Sequence, residues 1–161
     1  MFKIVQDIYV EWGHCDPAKI VFNSNFYFWV DCAQDRLLQA AYPELHTLHE
    51  KIGFAGTPLV SNQSEFKKPG QSGDILALHS QITKVGNSSF HVHHQFFVKG
   101  TPIVDIKEVR VWTTRIPADS DKLTASPIPQ EIKDRLLSSE CKCYRFVQEQ
   151  CGISDISSCT K

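Results

Sequence analysis

Trp12-Gly13-His14-Cys15-Asp16-Pro17-Ala18-Lys19-Ile20-Val21-Phe22-Asn23 runs straight into Ser24-Asn25-Phe26-Tyr27-Phe28-Trp29-Val30-Asp31, and this junction organises the rest of the chain. Gly13 and Pro17 break regular structure on both sides of Asp16, so the first part reads as a stiff loop. From Ser24 to about Ala41 the period changes to that of a helix. Phe26, Trp29, Val30, Ala33, Leu37, Ala40 and Ala41 fall on one stripe, with Gln34, Asp35 and Gln39 away from it. Ser24 is the expected N-cap, and Tyr42-Pro43 ends the helix. With Phe22, Tyr27 and Phe28 added, the segment is too apolar for an open surface. It reads as a helix wrapped by other structure.

The wrapping is supplied by strands. Phe2 to Glu11 alternates Ile4, Gln6, Ile8 and Val10 against Val5, Asp7, Tyr9 and Glu11. A loop rich in charge and histidine, Glu44 to Lys51, leads to four further strand-like runs at Leu59–Lys67, Ile75–Val85, Ser89–Lys99 and Pro102–Ile116. The separators are turn signals: Lys68-Pro69-Gly70-Gln71-Ser72-Gly73-Asp74, Gly86-Asn87-Ser88 and Lys99-Gly100-Thr101-Pro102. One strand, one buried helix and an antiparallel run of strands predict an α+β domain over residues 1–120, about five strands curled around one long helix. Residues 121–161 are expected as a C-terminal extension. Pro127-Ile128-Pro129-Gln130-Glu131-Ile132-Lys133 opens a second helix whose apolar face carries Ile132, Leu136, Cys143 and Phe146-Val147, and residues 152–161 lack periodicity and are expected to fray.

Composition narrows the function classes. The 161 residues suit one domain, 42% of them are hydrophobic, and a net charge of −1 leaves no footprint for nucleic acid. No apolar run reaches the ~18–20 residues that span a bilayer. The N-terminus passes directly into strand-like sequence without signal-peptide architecture, so a cytoplasmic setting is expected. Of the six cysteines, Cys141, Cys143, Cys151 and Cys159 crowd the tail without zinc-knuckle spacing, and free thiols are expected. His91-Val92-His93-His94 places two imidazoles on one strand face with no paired acid nearby in sequence; no metal is expected.

Asp16 is the residue with the clearest chemistry. An aspartate before proline often does no more than hold a turn. Here, however, it precedes a helix start, where the first backbone N–H groups have no intrahelical acceptor. Such donors stabilise an oxyanion on a carbonyl that the neighbouring acid attacks or serves. Cys15 competes poorly as a nucleophile, because its only nearby base is His14, which points away in an extended segment.

The run from Trp12 to Phe22, with Asn25-Phe26 and Trp29-Val30-Asp31, resembles the start of the 4-hydroxybenzoyl-CoA thioesterase family of hot-dog-fold proteins. Gly56-Thr57-Pro58-Leu59-Val60-Ser61 and Glu108-Val109-Arg110-Val111-Trp112 extend the resemblance, which covers about residues 4–116. It implies a hot-dog fold and hydrolysis of an aromatic, 4-hydroxybenzoyl-like acyl-CoA. It also implies Asp16 as nucleophile or general base and the Asn23 backbone N–H as oxyanion donor. Asp31 matches an acid suited to a ring hydroxyl, against the reading of a solvated helix residue. Thr57 and Ser61 are expected near the substrate, against the reading of turn hydroxyls. Arg110, Lys67 and Lys68 are the groups available to CoA phosphates. No cofactor beyond the CoA thioester itself is implied.

Departure from the family lies at Val85-Gly86-Asn87-Ser88-Ser89, where a basic cluster before the third strand is missing and Lys84 stands alone. That keeps open a short-chain aliphatic or acyl-carrier-protein thioesterase, and a non-catalytic hot-dog protein that binds acyl-CoA. A homodimer or homotetramer is expected, because a curled sheet leaves edge strands whose backbone groups need partners. The resemblance places the site at such an interface.

Overall fold

A computed structural model describes residues 1–115 and 122–144, together with the backbone at 157–158. The apolar period of the junction helix is realised as α1, Asn23–Ala41. Every residue of the expected stripe is buried on it, from Phe26 to Ala41. Around it curl β1 (Lys3–Tyr9), β2 (Leu59–Phe66), β3 (Ile75–Val85), β4 (Ser89–Val98) and β5 (Thr101–Val111). These five pair antiparallel in the order β2-β5-β4-β3-β1. This is the hot-dog arrangement that the strand and helix periods imply. A short α2 (Leu48–Ile52) follows α1, and β6 (Thr113–Thr114) pairs with β7 (Thr124–Ala125) in a small separate ladder.

Two apolar clusters hang on the two halves of α1. Phe26, Trp29, Val30 and Ala33 meet Val10, Val21, Leu76, Leu78, Phe96, Val104 and Ile106. Leu37, Leu38 and Ala41 meet Phe2, Ile4, Ile82, Phe90, Val92 and Trp112. Each fully buried large side chain contributes about 1.5–3 kcal/mol, so the stripe is the main anchor of the sheet on the helix. Ile128, Ile132 and Leu136 belong to the second cluster. The early part of the C-terminal extension therefore packs into the core of the hot-dog unit.

The second helix is shorter than the sequence suggests. α3 spans Gln130–Leu137, and Cys141–Tyr144 forms β8, which runs parallel to β1 from Lys3↔Cys141 to Gln6↔Tyr144. The apolar spacing that placed Cys143 on a helix face is also the alternation of a strand, and the open edge of β1 decides between them. Lys142 fixes the junction by donating from Nζ to Ala40 O at 2.6 Å, at the carbonyl end of α1. The backbone of β9, Ser157–Ser158, extends this edge, giving a seven-stranded mixed sheet in place of five antiparallel strands. The expected fraying of 152–161 and the apolar role of Phe146-Val147 otherwise fall outside the described residues. Cys15, Cys32 and Cys141 are free thiols, whereas Cys143, expected as one, is disulfide-bonded. No helix among the described residues is long and apolar enough to cross a membrane.

The opposite edge is β2, with nearly all its residues exposed, Leu59, Val60 and Phe66 among them. Phe22, Tyr27 and Phe28, read from sequence as wrapped, are also exposed on α1. Within one chain the sheet covers only one side of the helix.

Candidate active site

The loop that carries Asp16 is tied down by its backbone. Trp12–His14 make one 3-10 turn, and Asp16 N–H then donates to Ile20 O at 2.9 Å while Lys19 N–H donates to Asp16 O at 2.8 Å. Lys19 closes this reversal in the left-handed region, at φ +63°. His14 O accepts both Phe22 N–H (2.9 Å) and Asn25 Nδ2 (2.8 Å), which clamps the loop to the start of α1. On its other side Val21 N–H donates to Gly70 O at 2.9 Å. A Cβ at position 70 would stand 3.3 Å from Val21 Cγ2, a tight contact that glycine avoids. Asp16 Oδ1 accepts the Ala18 N–H at 2.8 Å, which fixes the carboxylate in the loop. His14 spends Nδ1 on the Glu11 N–H and packs edge-on against Trp29, so it does not act as a base beside Asp16.

The helix start differs from the sequence expectation in one respect that matters. Ser24 is not the cap: α1 begins at Asn23, and the cap position is Phe22, which offers no side-chain hydrogen bond. The first-turn amides of α1 are therefore left without a side-chain acceptor. Asn23, at this helix start, lines a cleft of about 570 Å³ together with Asp16, Phe26, Phe66, Lys67 and Lys68. Four of the predicted site residues thus meet in one place. Lys67 is held near Glu65 at 3.5 Å and Asp105 at 3.9 Å, and Lys68 stands exposed at the rim.

A second group gathers further along α1. Asp31, Thr57 and Arg110 line a separate cavity of about 400 Å³. Arg110 is not the phosphate ligand expected of it: the residue is 7% exposed and its guanidinium is fully engaged. Nε and Nη2 reach Glu108 Oε2 at 2.8 and 2.7 Å, Nη2 reaches Asp31 Oδ1 at 2.5 Å, and Nη1 reaches Thr57 O at 3.5 Å. Antiparallel β4 and β5 continue the chain inward, with His94 Nε2 3.7 Å from Glu108 Oε2 and His94 Nδ1 bonded to Ser80 Oγ at 2.8 Å. At 3.7 Å the imidazole and carboxylate are beyond ordinary hydrogen-bond distance. Burial drives the His94 pKa down, keeping the ring neutral. Burial alone would raise that of Glu108, but the adjoining imidazole and the Arg110 guanidinium outweigh it and hold the carboxyl below its usual range.

Ser61 joins neither group; it lines a third hollow of about 350 Å³ with His91, His93 and Lys107. His93, read from sequence as lacking an acid, bonds Asp105 at 2.8 Å across β5. The sequence reading also missed Glu108, His94 and Gln34. Gln34 was placed off the apolar stripe but is 2% exposed, and its position one turn after Val30 and before Leu37 was the available signal.

Five antiparallel strands of the sheet curled on one long helix define a hot-dog fold, and similarity to known proteins makes it that of a thioester hydrolase. The model of the thioesterase-like superfamily matches residues 10–136, and the chain belongs to that family. The 4-hydroxybenzoyl-CoA thioesterase of Pseudomonas sp. strain CBS-3 is 28% identical over 129 residues, covering 76% of this chain and 89% of that one. A solved structure of the thioesterase from that strain superposes with a TM-score of 0.74 at 25% identity, over 83% of this chain and 98% of that one. A 1,4-dihydroxy-2-naphthoyl-CoA hydrolase from Synechococcus elongatus is 22% identical, covering 79% of this chain and 90% of that one. A gentisyl-coenzyme A thioesterase structure is 28% identical with a TM-score of 0.69, over 83% and 99% of the two chains.

Proposed function

We propose that this chain hydrolyses the thioester of an aromatic, hydroxyl-bearing acyl-CoA to the free acid and CoA, at a site built around Asp16. The observation that carries the reading is the shared cleft of Asp16 and the uncapped first turn of α1. A thioester carbonyl placed there has the Asn23 N–H directed at its oxygen and Asp16 on the side of its carbon. In one route, Asp16 takes a proton from water as the water oxygen bonds to the carbonyl carbon. Charge moves to the carbonyl oxygen, and collapse of the adduct expels CoA as thiolate, which then takes up a proton. In the other, Asp16 attacks the carbon itself, CoA leaves, and water cleaves the resulting mixed anhydride. Both routes need the same carboxylate and the same donor. Lys67 and Lys68 at the cleft are the cations that the phosphates of CoA would meet.

The aromatic assignment draws on Asp31 and Thr57, and on relatives that are named for hydroxyaryl-CoA substrates. Asp31 lies outside the Asp16 cleft, so the acyl end is completed by a second copy of the chain. The exposed β2 edge with Leu59, Val60 and Phe66, and the uncovered Phe22, Tyr27 and Phe28 on α1, supply the apolar surface for that association.

Thiol release from benzoyl-, 4-hydroxybenzoyl- and short aliphatic acyl-CoAs by the wild type and by Asp16→Asn tests the reading. Turnover of aryl thioesters that falls by a factor of 10² or more in the variant is expected. Turnover that survives the substitution removes Asp16 from the mechanism, and preference for the aliphatic series overturns the aromatic assignment.

A further inference from the structure

Gln34 is the one side chain among the described residues with both a nitrogen and an oxygen buried and unpartnered. It is 2% exposed, in the middle of α1, where every neighbouring stripe residue is apolar. Buried polar atoms without partners are rare in native folds, and those that persist have a reason in function. Gln34 lines the same cavity as Asp31 and Arg110, whose remaining walls include Leu38, Leu45 and Phe54. Asp35 and Thr57 add further polar lining, but Gln34 is the lining residue whose polar atoms are buried without a partner, and a few placed polar groups among apolar walls are how a small-molecule site fixes the orientation of a flat ligand.

Asp31 and Gln34 are three residues apart on one helix, so their side chains leave neighbouring turns with Cβ atoms about 5–6 Å apart. From such neighbouring positions a carboxylate and a carboxamide can both face one ring bound in the cavity that they line. Asp31, its carboxylate held by Arg110 Nη2 at 2.5 Å, is an acceptor for one ring hydroxyl. The carboxamide of Gln34 offers an acceptor and two donors for another.

We propose that Gln34 is a specificity-determining residue of the acyl site, reading a second oxygen substituent on the aromatic ring. The substrate class is then a dihydroxyaryl acyl thioester in preference to a monohydroxyaryl one. This deepens the reading above and rests on it. An amide that gains its partner only when the right ring is bound discriminates strongly, because a ring lacking the hydroxyl leaves the buried group unpaired.

Thiol release from benzoyl-, 4-hydroxybenzoyl- and gentisyl-CoA by the full-length wild type, Gln34→Leu and Gln34→Met reads this directly. Both replacements match the volume of glutamine closely and remove its polar atoms. Expected is a wild-type kcat/KM higher for gentisyl- than for 4-hydroxybenzoyl-CoA, with the ratio falling about tenfold in both variants, chiefly through KM. The melting temperature should hold or rise, since the unpaired amide is gone. A merely structural glutamine would lower the melting temperature when replaced and leave the ratio unchanged; an unchanged ratio, or a wild type with no preference for the dihydroxy ring, overturns the assignment alone. Absence of turnover on every aryl thioester overturns it together with the thioesterase reading.

Discussion

Asp16 and Asp31 flank the first turns of the same helix, and the protein builds their surroundings by opposite means. Around Asp16 nearly everything is backbone: turns, a β-bridge from Cys15 to Val21, the clamp on His14 O and the bare first turn of α1. Around Asp31 nearly everything is side chain, in a buried line that runs from Ser80 through His94, Glu108 and Arg110 to the carboxylate. A backbone site tolerates side-chain change everywhere except at the reacting group. A side-chain network has no such redundancy, because Arg110 is the counter-charge of both Glu108 and Asp31 and each further member packs on the one before. Damage at the first place should therefore appear in rate, and damage at the second in stability.

The sharpest break of that contrast is Asp16→Asn. Its carboxylate contributes one local hydrogen bond, to Ala18 N–H, in a part-exposed loop. We expect loss of turnover by 10² or more with a melting temperature within a few degrees of wild type, read by thiol release and calorimetry on the same preparation. A variant that also unfolds would mean that the carboxylate holds the loop rather than the reaction.

Arg110→Met should behave in the reverse way. It leaves Glu108, 3% exposed, as an uncompensated buried charge. Breaking a pair of this kind costs about 3 kcal/mol or more, which in a chain of this size lowers the melting temperature by about 10 °C. Denaturant unfolding checks it. A shift under about 1 kcal/mol would show that the network is dispensable, and that Asp31 does not depend on it for position.

The same network predicts a pH response. His94 is kept neutral below its ordinary pKa of 6.5. The unfolded chain therefore binds a proton near that pH which the folded chain refuses, and stability falls as pH drops below 6.5, by up to about 1.4 kcal/mol per pH unit. Glu108 adds a second loss at lower pH. Its carboxyl is held below the ordinary 4.5, so its contribution is complete above that value and disappears as pH falls through the lower folded pKa. In His94→Gln the decline between pH 6.5 and 5 should vanish while the lower one remains. Melting temperatures over that range measure both, and an unchanged slope would assign the upper decline to another group.

What the sequence made legible follows the same division. The Asp16 loop and α1 were readable because their signals are local: a glycine, a proline and an acid in order, then an apolar period of 3.6. Three strands fell within a residue or so of their expected bounds because turn residues mark them. Arg110 was misread because its partners, Asp31 and Glu108, come from two different elements, and a cation's neighbours across a sheet are not encoded in its own stretch. His93 was misread for the same reason, its acid lying across β5. The strand at Cys141–Tyr144 failed differently: four residues are too few to separate the two periods, and only the open edge of β1 selects one.

Ser24 is where local reading failed inside the legible region, and it gives the smallest expected effect. Serine before an apolar helix is a standard cap signal, and removing a true cap costs about 1 kcal/mol. Here the helix starts one residue earlier, and the cap position belongs to Phe22, whose side chain has no acceptor to offer the first-turn N–H groups. Ser24→Ala should therefore cost less than about 0.5 kcal/mol, since alanine is the better helix former at an exposed position inside the first turn. Urea unfolding resolves a difference of that size from a lost cap. A full loss of about 1 kcal/mol would mean that the serine hydroxyl occupies the first-turn amides, and the oxyanion donors assigned to them would already be spoken for. A near-neutral result with turnover intact would leave those amides free, as the proposed chemistry at Asp16 requires.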